Sequence, residues 1–136
     1  MRQLFNSFFV TLLFVSGITS YGSSAGIGKL FAAEADQKYV DRMGELDKLI
    51  KAEIGDARAS DLAQCRSIPF GAKACGGPAT YLAYSTAFIN EAKLKALVDA
   101  FNSTSRSYIE ARKILSDCRF VSEPKLELVN GICKLQ

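Results

Sequence analysis

The sequence predicts an α+β fold in which two helices pack on a small antiparallel sheet that includes a C-terminal Asn-Gly hairpin and is stapled by disulfides. Three observations point to this fold. Apolar residues recur at helical spacing in two long stretches, a region rich in Gly, Pro and strand-forming residues separates them, and two alternating runs flank Asn130-Gly131 near the end. Apolar residues make up 49% and charged residues 23% of the chain, which is typical of a globular protein.

The N-terminal 25 residues have the pattern of a secretory signal peptide. Arg2 precedes an uncharged apolar run over residues 8–18, and the small residues Ser23-Ser24-Ala25 offer a cleavage site. The run has 11 residues, whereas a membrane-spanning helix needs roughly 20. An uncleaved membrane anchor is the alternative, and Ala33-Glu34-Ala35 is a second candidate cleavage site. We therefore expect a periplasmic or secreted protein with no stable membrane span after cleavage.

The remaining chain divides into a flexible mature terminus, residues 26–35, and a single disulfide-containing domain, residues 36–136. The first helix is predicted over residues 36–54, with Asp36 as its N-cap and Gly55 as its stop. Its core stripe consists of apolar residues spaced three or four apart: Tyr39, Met43, Leu46, Ile50 and Ile54. Val40 and Leu49 widen the same stripe.

Two short strands and a second helix follow. Residues 64–69 and 80–86 are predicted to pair as antiparallel strands, although residues 80–88 could instead belong to the next helix. The second helix is predicted from an Asn90 cap to an end near residues 116–118. Its apolar side consists of residues at helical spacing: Leu94, Leu97, Phe101, Tyr108 and Leu115.

The last strands are predicted around Asn130-Gly131, because both residues accept the positive φ angles of a type I′ turn. The runs 125–129 and 132–135 would form the hairpin. An isolated hairpin is marginally stable in water, so we expect it to join the strands at 64–69 and 80–86 in one sheet covered on one face by the helices.

Four cysteines in an exported chain predict two disulfides among Cys65, Cys75, Cys118 and Cys133. We favour pairing of sequence neighbours, Cys65 with Cys75 and Cys118 with Cys133. The rival arrangement joins Cys65 to Cys133 or Cys75 to Cys118 and ties the ends of the sheet together.

Several kinds of chemistry are disfavoured by the composition. The chain has no histidine, so it lacks the usual base of a catalytic triad and the commonest metal ligand. The cysteine spacing does not resemble a zinc knuckle, and a net charge of +3 gives no footprint for nucleic acid. The carboxylates Asp41, Glu45 and Asp47 are interpreted as a solvated helix face. We expect no metal, no cofactor and no catalytic residue.

The loop region around Cys75 offers the best candidate binding site. It combines exposed backbone, one cation and two aromatic rings, and the residues are Lys73, Gly76, Gly77, Pro78, Tyr81 and Tyr84. Successive glycine amides can bind an anion, and tyrosines give large contact area with few torsions. The alternative interpretation is structural: the glycines only permit the turn, and both tyrosines pack on the helices.

The block Cys75-Gly-Gly-Pro78 with Tyr81-Leu-Ala-Tyr-Ser85 resembles a group of small exported bacterial proteins, and the likeness extends to Gln64-Cys-Arg66, Gly71-Ala-Lys73, Ser116-Asp-Cys118 and Gly131-Ile-Cys133. The resemblance implies a bacterial envelope protein with disulfides. It implies no activity and no catalytic residue.

These observations favour an exported envelope protein that acts as a non-enzymatic protein-binding module, as an inhibitor or accessory factor. Its partner would be an envelope or extracellular protein. The alternatives are a small hydrolase or small-ligand-binding protein using tyrosine, lysine or carboxylate groups, and a purely structural envelope protein.

Overall fold

The computed structural model describes residues 24–136, with side chains from residue 34 onward. The α+β fold is confirmed. In chain order the elements are α1 (Ser24–Ile54), β1 (Cys65–Phe70), β2 (Thr80–Ser85), α2 (Glu91–Arg112), β3 (Leu126–Val129) and β4 (Ile132–Leu135), with a short 3-10 helix (Leu62–Gln64) before β1. Most of the expected signal peptide, residues 1–23, lies outside the described residues. No helix within residues 24–136 is long and apolar enough to cross a membrane.

Helix α1 begins earlier than the periodicity suggests. Its backbone is helical from Ser24, so the segment 26–35, which we expected as a flexible terminus, is its N-terminal part. Asp36 is consequently inside the helix rather than at its N-cap, and its carboxylate pairs with Arg112 of α2 at 3.1 Å. The helix ends as predicted at Gly55, which has a φ of +55° and donates its N–H to the Lys51 carbonyl at 2.9 Å.

Helix α2 runs antiparallel to α1, because the Asp36–Arg112 pair joins one end of the two helices and Glu53–Lys93 joins the other. The predicted cap is confirmed: the Asn90 side chain accepts a hydrogen bond from the Lys93 N–H at 3.0 Å. The helix ends at Arg112, earlier than residues 116–118, because Lys113 turns to the left-handed conformation with a φ of +51°.

The contact between the helices is narrower than the apolar stripes suggest. Val40 and Leu49 of α1 are about half exposed, because α1 is covered only along the stripe that contains Leu46 and Ile50. Leu115 lies beyond the end of α2 and is exposed. The expectation that these three residues belong to the buried faces is wrong.

Strands β1 and β2 pair antiparallel over the whole predicted segment, from Cys65 opposite Ser85 to Phe70 opposite Thr80. The alternative in which residues 80–88 join the second helix is wrong. One face of this hairpin presents Ile68 and Tyr84 to the helices. They form the main core together with four fully buried residues of α1 and α2: Leu46, Ile50, Leu94 and Val98.

Strands β3 and β4 form the predicted Asn-Gly hairpin. Asn130 and Gly131 have φ angles of +52° and +75°, as a type I′ turn requires. This hairpin forms its own two-stranded sheet, whereas we expected one sheet of four strands. It covers the face of β1–β2 that points away from the helices, where Cys65 and Ala83 are apolar and need burial. The result is three layers with β1–β2 in the middle.

The disulfides are Cys65–Cys133 and Cys75–Cys118, with Cα atoms 5.5 and 5.3 Å apart. Our preference for sequence neighbours is wrong. Cys65 opens β1, and Cys75 lies beyond its far end, so the extended strand holds the two cysteines apart by roughly 17 Å, well above the limit of about 7 Å for a bridge. Cys65 instead faces Cys133 of β4 across the two hairpin layers.

Candidate binding loop

The candidate site is built from two irregular segments. We call residues 71–79, which connect β1 to β2, the central loop, and residues 113–125, which connect α2 to β3, the strap. The central loop closes on itself at Gly71, which has a φ of +73° and where an added Cβ would lie 2.9 Å from the Ala79 Cβ. Further along, the Lys73 N–H donates to the Gly77 carbonyl at 3.1 Å, and the Gly76 N–H donates to the Lys73 carbonyl at 2.9 Å.

Asn102 of α2 attaches the start of the central loop to the helical layer. Its Oδ1 accepts a hydrogen bond from the Gly71 N–H at 2.7 Å, and its Nδ2 donates to the Pro69 carbonyl at 3.1 Å. Asn102 lies in a run of polar residues and has a specific role. It forms hydrogen bonds with two backbone groups at the end of β1, where pairing with β2 no longer satisfies them.

Lys73 attaches the middle of the loop to the strap. Its Nζ donates to Asp117 Oδ1 at 2.8 Å and to the Arg119 carbonyl at 2.7 Å, and its side chain is 16% exposed. Arg119 Nε approaches the other oxygen of Asp117 to 2.6 Å. Hydrogen bonds first from Lys73 and then from Arg119 hold the pKa of Asp117 well below its usual range.

The Cys75–Cys118 disulfide is the third attachment, and it is covalent. Both of its cysteines are exposed, whereas Cys65 and Cys133 are 2% and 4% exposed. Because Cys75 lies directly before the two glycines, the bridge fixes the backbone at the point where the central loop is most open to solvent.

The structure separates the six predicted binding residues into four groups, the last of which is Tyr84 alone. Gly76 and Gly77 are exposed at the loop tip with φ angles of +89° and +78°, and nothing lies within 4 Å of an added Cβ at either. Pro78 and Tyr81 are half-buried. The Lys73 ammonium group is hydrogen-bonded to the strap and is therefore not free to bind another anion.

Tyr84 is not part of this surface. Its ring is 3% exposed in the main core, and its hydroxyl donates to Glu91 Oε1 at 2.8 Å. Burial first, and then the hydrogen bond to the Glu91 carboxylate, raise the pKa of Tyr84 to about 12. For Tyr84 the structure agrees with the alternative interpretation, in which the tyrosine packs on the helices.

Two neighbours of the loop were not among the predicted residues. Phe120 follows Cys118 by two positions and is 87% exposed. Arg106 of α2 lines a cavity of about 240 Å³ together with Asn102 and the loop glycines. The sequence carried a signal for Phe120, since it is an aromatic residue in a polar segment beside a cysteine. Its position next to the central loop depends on the disulfide pairing.

The acidic side chains with lowered pKa values have structural partners among the described residues. Within residues 24–136, no group of three or more Cys, Asp or Glu side chains is placed to hold a metal ion. The two carboxylates whose pKa is lowered, Asp117 and Glu53, are both engaged in ion pairs. Glu53 accepts from Lys93 Nζ at 2.6 Å and from the Asn90 N–H at 3.0 Å, so it serves to join α1 to α2.

The chain matches no family model, and comparisons with curated proteins and with solved structures also give no match. The geometry of the described residues is therefore the basis on which function has to be inferred. Two disulfides are compatible with a secreted or periplasmic protein.

Proposed function

We propose that this protein is an exported, non-enzymatic protein-binding module, an inhibitor or an accessory factor of the cell envelope, and that it binds its partner through the central loop and the adjoining strap. One observation carries the proposal. The exposed glycine pair of the loop is held by three separate attachments, through Asn102, Lys73 and the Cys75–Cys118 bridge.

Rigidity of this kind favours binding. Ordering the backbone of one flexible residue costs about 1–2 kcal/mol, so a loop that is ordered before it meets a partner avoids most of that cost. The Gly76 carbonyl and the Gly77 N–H make no hydrogen bond to the other described residues, and the glycines carry no side chain to cover them. The loop is therefore suited to backbone contacts with an extended segment of another protein.

The strap adds the side chains that the glycines lack. Exposed aromatic residues are frequent energetic centres of protein interfaces, and Phe120 is exposed beside the bridge that holds the loop. Arg119 is 86% exposed and Arg106 is exposed near the loop cavity. The partner that fits this surface has an apolar pocket with an acidic rim.

The disulfides and the N-terminal sequence support export. Disulfides form and persist in oxidising compartments, and the N-terminal segment has the pattern of a signal peptide. The resemblance to small exported bacterial proteins points to the same compartment. A bacterial envelope is therefore the place in which we would look for the partner.

The test is a pull-down from an envelope extract with the full mature chain, in which partner recovery is compared between variants. We expect Phe120→Ala to reduce recovery of the partner by roughly tenfold, in keeping with the loss of a central interface residue. Phe88→Ala is the matched control, because Phe88 is 85% exposed in the connection between β2 and α2, at the other end of the hairpin from the central loop.

The control should recover the partner as the native chain does. Equal recovery by Phe120→Ala and the native chain would overturn the proposed surface. Lys73→Ala then tests rigidity: it leaves the exposed residues in place and removes one attachment, so we expect weaker recovery with an otherwise native circular dichroism spectrum.

A further inference from the structure

A second cavity, unrelated to the central loop, lies between α1 and α2. It encloses about 440 Å³, within the range of small-molecule sites. Helix α1 contributes Ala35, Lys38, Tyr39 and Arg42, and α2 contributes Ser103, Thr104 and Ser107. The Tyr39 ring is tilted against the Tyr108 ring with centroids 5.9 Å apart, which places an aromatic contact between the helices beside the cavity.

The lining has one sign of charge. Lys38 and Arg42 are one helical turn apart and both border the cavity, whereas no carboxylate is among the lining residues in the described part of the chain. Hydroxyl groups face the two cations from α2. The Ser103 and Ser107 hydroxyls make no hydrogen bond to any other residue that the structure describes, so both are available as donors, whereas Thr104 already donates to the Ala100 carbonyl at 2.8 Å.

Four carboxylates of α1 lie close in sequence to Lys38 and Arg42. Asp36 is engaged by Arg112, and Glu45 approaches Arg42 only to 3.6 Å. Glu34 and Asp41 border Lys38 and Arg42 in a separate depression on α1. Because these carboxylates compete with a ligand for the two cations, we expect the affinity of the cavity for that ligand to be modest. Because the attraction is between charges, added salt should weaken the binding.

We propose that this cavity binds a phosphate ester. Arg42 offers a planar fork of donors and Lys38 a compact charge, and both groups suit phosphate oxygens. The two serine hydroxyls supply donors from the opposite helix. The cavity has room for more than the phosphate group, and Tyr39 and Ala35 line it with apolar surface for the rest of the ligand.

A phosphate ester in the envelope comes from one of two sources, a soluble phosphomonoester or a phospholipid headgroup. Both present the same oxygens to Lys38 and Arg42. They differ in experiment, because only the lipid is presented on a vesicle.

The experiment is an NMR titration of the full mature chain with inorganic phosphate and with glycerol 3-phosphate at constant ionic strength, alongside flotation with vesicles of phosphatidylcholine containing phosphatidylglycerol. We expect saturable shifts at residues 38–42 and 103–107 with the soluble probes, or flotation with the anionic vesicles only. The Lys38→Ala, Arg42→Ala double variant should bind at least about tenfold more weakly, since it loses two charge-assisted contacts.

The matched control is the Lys48→Ala, Lys51→Ala double variant. It removes the same charge from the same helix outside the cavity and should bind as the native chain does. A Ser103→Ala, Ser107→Ala variant keeps every charge and should still weaken binding. The proposal would be overturned if the Lys38→Ala, Arg42→Ala variant and the Lys48→Ala, Lys51→Ala variant lost binding equally. It would also be overturned if no probe bound saturably and the protein did not float with vesicles.

Discussion

The two disulfides join cysteines 68 and 43 residues apart and hold different kinds of region. Cys65–Cys133 is buried among Ala57, Ala59 and the inner faces of both hairpins, where it fills space as well as cross-linking. Cys75–Cys118 is exposed, and the neighbouring contacts are the polar ones of Lys73 with the strap. One bridge is part of a core, and the other fixes the position of a surface loop.

This difference shows how a small three-layer domain can keep an open loop in one conformation. At the buried bridge, apolar packing supplies the stability, and the cross-link adds to it. At the exposed bridge little apolar surface is available, so covalent and charged contacts replace packing. The following predictions concern the two bridges, then the main core behind the buried one, and then the exposed bridge alone.

The largest effect is expected when the bridges are removed one at a time. The bridged cysteines are 68 and 43 residues apart, and chain entropy gives about 4 kcal/mol for either bridge. Cys65→Ala with Cys133→Ala should nevertheless destabilise the protein more than Cys75→Ala with Cys118→Ala, because only the first pair leaves a gap in a packed cluster. Urea unfolding of the two variants measures the difference.

The second bridge is nested inside the first along the chain, so the two effects should not add, and each pair has to be removed alone. A larger loss of unfolding free energy in the Cys75, Cys118 variant would mean that the exposed region, and not the buried cluster, stabilises the domain.

A smaller effect is expected at the core in alkaline solution. The pKa of Tyr84 is about 12 in the folded protein and about 10 in an unfolded chain, so the folded state retains a proton that the unfolded state loses. The resulting stabilisation, on the order of 3 kcal/mol, is fully present below pH of about 10 and is lost as the pH rises toward 12. Urea unfolding at several pH values should show this decline.

Tyr84→Phe should flatten the alkaline decline and also lower stability at neutral pH, because the hydrogen bond to Glu91 is lost. Tyr108→Phe is the control, and it should keep the decline of the native chain. An identical alkaline profile for Tyr84→Phe and the native protein would contradict the assigned role.

The smallest effect is expected at the exposed bridge in acid. The pKa of Asp117 is lower in the folded protein than in an unfolded chain, so its stabilisation is present above pH of about 4 and is lost as the pH falls below that value. Asp117 is half exposed, and solvent screens its ion pair with Lys73. The folded protein protonates Asp117 only well below pH of about 4, so NMR shifts of the Gly76 and Gly77 amides should change in that range, before the core unfolds.

Asp117→Asn should remove this acid-dependent change, since the asparagine does not ionise. Asp56→Asn is the control, because Asp56 forms a comparable exposed pair with Arg58 away from the loop. If the glycine shifts follow the same pH dependence in Asp117→Asn as in the native chain, Asp117 does not anchor the loop.

Short-range chemistry was enough to locate most elements. The Asn90 cap, the Gly55 stop and the Asn130-Gly131 turn depend on residues within a few positions of one another, and all three are confirmed. The strand pair around the central loop also follows from local composition. The predicted end of α2 is too late, because the left-handed turn that ends the helix is at Lys113 and no glycine marks it in the sequence.

Only the packed chain decided the arrangement of the layers and the membership of the site. The disulfide pairing, the second sheet, the burial of Tyr84 and the exposure of Phe120 beside the loop all depend on contacts between residues distant in sequence. A period-2 pattern shows that a strand has two faces, but it does not say what covers the second one. What covers the second face depends on which apolar surfaces are still exposed once the helices cover the first face.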